Sequence, residues 1–226
     1  MLKDFISLFY PEVCAACGNS LLKHEEVICT QCYVHLPKSN YHKDPNNPLY
    51  KVLAGRFPFN GATAFYIFNK KSRVQKLLHE LKYKNNPEVG VLTGKWFGEE
   101  LKGTAFSNAD ILLPVPLHPS KQQQRGYNQS GKIAEGMSSS LDIQLEENLL
   151  YRRTATKTQT KKDKGDRWQN VEDIFDIHDQ KKYEGKKVIL VDDVITTGAT
   201  IEACANALLK INNVELYIAS LAFADQ

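Results

Sequence analysis

VILVDDVITTGAT, residues 188–200, runs four apolar residues, Val188 to Val191, into adjacent carboxylates, Asp192 and Asp193, and then into a cluster of Thr, Gly and Ala. A short continuous apolar run bounded by turn residues reads as a strand buried on both faces. In an open α/β sheet the residues that follow such a strand are presented to a ligand. Two neighbouring carboxylates repel each other and only accept hydrogen bonds, which suits a partner with two adjacent hydroxyls, or a cation. Thr196, Thr197, Gly198, Ala199 and Thr200 then turn into a helix whose free N–H groups and dipole favour a phosphate, and Gly198 lets the backbone come close. An Asp-rich turn capped by Thr would explain the acids taken alone. Acids for a diol followed at once by a phosphate cup read as a site for a 5-phosphoribosyl group. The segment is no Gly-Lys-Ser/Thr phosphate loop, and the chain has no Gly-x-Gly-x-x-Gly fingerprint.

The surrounding pattern alternates strands and helices. FPFNGATAFYIF (57–68) carries aromatic and β-branched residues around Asn-Gly, a hairpin-like signal. SRVQKLLHELKY (72–83) sets Val74, Leu77, Leu78 and Leu81 at helical spacing after a Ser cap, and PEVGVLTGKWFGEELK (87–102) is a second helix weakened by glycine. ADILLPVPLH (109–118) is a buried strand ending in a Pro-rich turn, and residues 128–141 form a helix with Ile133, Met137 and Leu141 on one side. A helix from about Thr200 to Lys210 and a last strand, VELYIASLAF, close the chain. The expected architecture is α/β, a mostly parallel sheet with helices on both faces.

Four of the five cysteines crowd between residues 14 and 32, as Cys14-Ala-Ala-Cys17 and Cys29-Thr-Gln-Cys32. Two such pairs can bring four thiolates to the corners of a tetrahedron, the arrangement of a closed structural zinc (Zn²⁺) site; a redox pair is the runner-up. His24 and His35 are bystanders in this reading, and Cys204 a buried small residue. PKSNYHKDPNNPLYK (37–51) reads as a linker, dividing a zinc module with its linker (1–55) from a second domain (56–226). Clustered cysteines argue against a secreted disulfide framework. The apolar start MLKDFISLF carries Asp4 and no small-residue cleavage site, and no run of about 18 apolar residues occurs, so a cytoplasmic protein without membrane insertion is expected. Net charge is only +3, but residues 151–167 hold seven Lys or Arg against two Asp, leaving the remainder at −2. Whole-chain charge does not call for nucleic acid; that segment could track phosphates.

The stretch 188–200 closely resembles the phosphoribosyl pyrophosphate (PRPP) signature of type I phosphoribosyltransferases. With LKYK (81–84), PVPLHPSKQQQRGYNQS (114–130), RRTATKTQTKKDKGDRWQNV (152–171) and the paired CxxC motifs, the chain resembles the ComF competence-protein family over nearly its whole length. The resemblance implies a type I phosphoribosyltransferase-like fold joined to a small N-terminal four-Cys zinc module. It implies that Asp192 and Asp193 hold the ribose hydroxyls and that Thr196 to Thr200 hold the 5′-phosphate, with Val191 and Val194 beside them. A loop after an earlier strand binds the pyrophosphate in such enzymes, a role that falls here to the Pro114–His118 turn with Pro116 and Leu117; the basic segment would cover the site.

Transfer from PRPP loses pyrophosphate through an oxocarbenium-like state, so Mg²⁺ and cations must meet charge on the leaving group. Arg125 and Arg153 are the first candidates, joined by Lys84, Lys157 and Arg167. Tyr127, Asn128 and Gln129 either position an acceptor or cap the following helix; Gln159 and Asn170 share the loop with the acceptor or DNA candidates. Small zinc modules often contact nucleic acid, and Tyr33, Tyr41, Tyr50, Phe57 and Trp168 are either stacking platforms or core. The implied partners are PRPP, single-stranded DNA and proteins of the DNA-uptake machinery. Two rival readings stand beside a ComF-like transferase in natural transformation: a non-catalytic single-stranded DNA-binding module with PRPP as regulatory ligand, and a purine-type phosphoribosyl transfer enzyme.

Overall fold

The computed structural model describes residues 11–153 and 174–224. In chain order its helices and strands are α1 (Thr30–His35), α2 (Pro48–Leu53), β1 (Gly61–Ile67), α3 (Arg73–Tyr83), α4 (Glu88–Leu101), β2 (Ile111–Pro114), α5 (Pro119–Arg125), α6 (Gln129–Leu141), β3 (Gln144–Leu145), β4 (Leu150–Arg152), β5 (Phe175–Ile177), β6 (Lys187–Ile195), α7 (Ala199–Leu208) and β7 (Glu215–Phe223). Five strands form one sheet in the order β1-β7-β6-β2-β3, parallel at every pair, while β4 and β5 form an antiparallel ribbon. Parallel pairing follows from strands that read as unbroken apolar runs and need covering on both faces. Leu112, Ile189, Val191 and Ala219 pack toward α3, α4, α6 and the cysteine segment. Leu113, Leu190 and Ile218 pack toward α2, α7 and the ribbon.

Local chemistry starts and stops these elements. The Ser72 side chain accepts from the Gln75 N–H at the head of α3, whose Val74, Leu77, Leu78 and Leu81 are buried. Asn128 caps α6 by accepting from the Ser130 N–H. The glycines expected to weaken α4 instead bring it against α6. A Cβ on Gly94 would overlap the Ile133 carbonyl, one on Gly98 the Ser140 side chain, and one on Gly136 the Val91 carbonyl. Backbone contact of this closeness leaves no room for a side chain.

Three expectations need correction. Residues 57–68 form no hairpin: Asn60 donates its N–H to the Leu216 carbonyl and accepts the Leu216 N–H on its side chain, which launches β1 alongside β7 in parallel. Residues 37–51 are more than a linker. Asn47 is 1% exposed, caps α2, and donates to the Tyr41, Asp44 and Ala62 carbonyls, so this segment is clamped to β1. The strand expected to end at Val191 runs on to Ile195, and the paired acids lie within it, Asp192 opposite Ser220 of β7. On its other side β6 pairs with β2 only as far as Pro114 opposite Val191. From Asp192 onward that edge of β6 has lost its ladder partner, and a crevice opens at the carboxyl end of the sheet.

Candidate functional site

Asp192, Asp193 and the Thr196–Thr200 turn share that end of the sheet. Asp192 is half-buried and accepts from the Asp193 N–H at 2.8 Å and the Ser130 hydroxyl at 3.1 Å. Ser130 sits in the first turn of α6 and is 4% exposed, so that helix braces the first acid. Asp193 pairs with Lys82 of α3 at 2.7 Å, with side chains 13% and 20% exposed respectively. Burial, and next the Asp193 charge, push the Asp192 carboxyl up to about 7 against the opposing pull of the Asp193 N–H, Ser130 and Lys82. One acid is thus held as an ion pair while its neighbour holds a proton into the neutral range.

Gly198, at φ 79°, turns the chain into α7, which no side chain caps. Among the described residues no side chain caps the start of that ten-residue helix, and N–H groups left so are suited to a phosphate. A Cβ on Gly198 would strike the Leu53 side chain, and Arg56 fixes the outside of the loop by donating to the Thr197 carbonyl at 2.6 Å. Val191 is buried and Val194 half-buried beside the acids. Pro116 and Leu117 are half-buried just past β2, where the Val115 N–H still bonds the Val191 carbonyl.

The RGYNQS segment serves as a brace. Arg125 donates to Gln129 at 2.7 Å and lies over the Tyr83 ring at 5.3 Å; the Tyr127 hydroxyl donates to the Leu81 carbonyl at 2.6 Å; Asn128 donates to the Val115 carbonyl at 3.0 Å. Together they tie α6 to the end of α3 and to the turn after β2. Between them lies a cleft of about 680 Å³, with Lys82 and Arg125 among its walls. Arg153 stands on the ribbon, held to Asp176 through Nε at 3.0 Å and Nη2 at 2.5 Å. Lys84 is exposed at the end of α3. Lys157, Gln159, Arg167, Asn170 and Trp168 lie outside the described residues.

Lys82, Ser130 and Arg56 were not singled out as site residues from the sequence. Spacing alone does not choose between the lysines of LKYK, since Lys82 follows Leu78 by four positions and Lys84 follows Leu81 by three; in the fold Lys84 is the exposed cap residue of α3 and Lys82 turns inward. Of the proposed base-stacking aromatics, Phe57 is buried, Tyr50 packs on Phe59, Tyr41 on Phe223, and Tyr33 meets Trp96 edge-on.

At the N-terminus the Sγ atoms of Cys14, Cys17, Cys29 and Cys32 lie within 4.8 Å of one another and could hold a metal ion such as zinc. Backbone N–H groups point at the sulfurs: Cys29 to Cys14 at 3.3 Å, Asn19 to Cys17 at 3.4 Å and Cys32 to Cys29 at 3.4 Å. Burial raises the Cys14 thiol, but the N–H groups of Cys29, Cys17 and Ala16 outweigh it and bring it down to about 7, whereas burial holds the Cys29 and Cys32 thiols up. The donor set fits a thiolate-bound metal. His35 bonds the Gln31 carbonyl and stands outside the cluster, as does His24.

A family model described as the phosphoribosyl transferase domain matches residues 129–226. Competence protein F of Haemophilus influenzae is 36% identical over 116 residues, a match spanning 51% of each chain, about half the length of that relative. DNA utilization protein YhgH of Escherichia coli K12 is 25% identical over 202 residues, 88% of this chain and 84% of that one. Competence protein ComFC of Bacillus subtilis is 26% identical over 200 residues, covering 88% and 78%.

Proposed function

We propose that the chain is a phosphoribosyltransferase of the kind its match over residues 129–226 and its likeness to competence protein F, ComFC and YhgH suggest, that it binds PRPP at the carboxyl end of β6, and that it serves DNA uptake. The observation that carries this reading is the placement of Asp192 and Asp193 and the uncapped start of α7 on one crevice. The acids accept from the ribose hydroxyls; N–H groups of 199–201 and the Thr196, Thr197 and Thr200 side chains take the 5′-phosphate; the turn holding Pro116 and Leu117 and the Arg125 guanidinium face the diphosphate. Mg²⁺ carried with the ligand would supply neutralisation of the diphosphate charge, while Asp193 stays paired to Lys82. Arg153, Lys157 and Arg167 are proposed to meet charge on the leaving diphosphate. The acceptor of any transferred phosphoribosyl group is a separate matter from PRPP binding.

The names of the relatives support a role in handling incoming DNA, with DNA-uptake proteins as partners. Among the described residues no helix is long and apolar enough to cross a membrane. The clustered CxxC pairs, which suit a reducing compartment, support a cytoplasmic location. Hydrogen exchange tests the site directly: PRPP with Mg²⁺ slows exchange of the amides of residues 196–201, whereas unchanged exchange there at saturating PRPP would remove the phosphate cup from the account.

A further inference from the structure

A separate cavity of about 270 Å³ opens at the amino end of the sheet, opposite to Asp192, where the chain enters β1 at Gly61 with Tyr217 of β7 beside it. Its walls are largely aromatic: Tyr41, Tyr50, Phe106 and Tyr217. Each ring is held by another, Tyr41 meeting Phe223 edge-on at 6.2 Å, Tyr50 lying against Phe59 at 4.9 Å and Phe106 meeting Tyr217 edge-on at 5.3 Å. One carboxylate lines the space, that of Asp44, whose Oδ1 accepts from the Asn46 N–H at 2.9 Å and whose own N–H donates to the Tyr41 carbonyl at 3.1 Å. Among the described residues no lysine or arginine lines it. His42 does, but burial holds its imidazole below the ordinary value, Lys43 adding to that and Glu100 opposing it, so the ring is uncharged at neutral pH.

An acid with no basic side chain beside it selects a cation, and aromatic rings attract one electrostatically, most effectively when the ion gives up its water readily, as an alkylammonium does. A hard divalent metal would need several oxygen ligands, whereas this space offers one carboxylate, and the Asn60 side-chain oxygen is already taken by the Leu216 N–H. We infer that this cavity binds a free alkylammonium ion of about the size of choline, its positive head among the four rings and its charge answered by Asp44. The volume, against about 30 Å³ for a water molecule, suits a compact ion. None of the residues proposed to hold PRPP lines this cavity, so the inference is independent of the phosphoribosyl reading.

The probe is choline, and 3,3-dimethylbutan-1-ol, which has the same shape with carbon in place of the charged nitrogen, is its neutral counterpart. Equilibrium dialysis of the full metal-loaded chain is expected to show choline bound about tenfold tighter than the alcohol, or more. Asp44→Asn, at an exposed position and able to keep the bond from the Asn46 N–H, weakens choline about tenfold and leaves the alcohol unchanged. Tyr50→Leu, which keeps an apolar side chain against Phe59, also weakens choline about tenfold. The Asp192→Asn/Asp193→Asn chain binds choline undiminished even where it loses PRPP, so the two readings fail separately. Absence of choline binding, equal binding of the alcohol, or indifference to either cavity substitution would each overturn the proposal. A trimethyl-lysine peptide that binds more tightly than choline would overturn the assignment to a free ion and place the cation on a polypeptide.

Discussion

Asp192 and Asp193 are adjacent in sequence but differ in state. Asp193 leans on Lys82, while Asp192, half-buried and beside that charge, keeps its proton up to about 7. To accept from a diol Asp192 must give that proton up. PRPP affinity is therefore expected to fall about tenfold per pH unit below 7 and to level off above it, with proton release visible as a buffer-dependent heat. An affinity flat from pH 5.5 to 8 would mean that Asp192 is already ionised. For folding the sign is opposite: the native pKa lies above the unfolded value, so this carboxyl's contribution to stability is complete below about pH 4 and is lost as pH rises through about 7. Lys82→Met removes the positive charge facing both acids and shifts the binding midpoint upward. At this scale the acids, the loop and the cysteines were legible, because each is contiguous in sequence or follows a short spacing. Lys82 and Ser130 were harder: each reaches the acids from a different helix, and only tertiary packing says which lysine of LKYK turns inward.

The helices α4 and α6 show how an element can contradict its own propensity. Glycine at 90, 94 and 98 weakens a helix in isolation, by about 1 kcal/mol each. Here Gly94 and Gly98 meet α6 backbone and side chain directly, and Gly136 meets α4 in return. Gly94→Ala is expected to cost about 3 kcal/mol in denaturant unfolding despite the better helix propensity of alanine, because the Ile133 backbone cannot yield as a side chain would. A neutral or stabilising result would show that the helices separate freely. The spacing of four was visible in the sequence, but its partner surface was not. The hairpin reading failed for a related reason: Asn60-Gly61 does make a sharp entry into β1, yet its hydrogen bonds go to β7, 156 residues on, where local turn chemistry has no reach.

Over the whole molecule, the cysteine segment shares an apolar cluster with β1, α3 and α4: Cys14, Ile28, Cys32 and Leu36 belong with Phe65, Leu77 and Phe97. A metal at the four thiolates would therefore stabilise more than its own knuckles. One zinc per chain is expected by metal analysis; chelation or Cys32→Ser should lower the melting temperature of the full protein and not only loosen its N-terminus. A full-length chain that melts unchanged without metal would refute this. The α/β class, its parallel sheet and the order of its main elements followed from apolar runs and helical periods. The edge strand β3, two residues long, and the ribbon of β4 and β5 carry too little pattern to be read. The central claim is that these parts converge on a phosphoribosyl site, and calorimetric titration of the metal-loaded protein with PRPP and Mg²⁺, beside Asp192→Asn/Asp193→Asn, tests it most directly. The account predicts saturable binding that the double variant loses while keeping its fold; equal binding by both chains, or none by either, would contradict it.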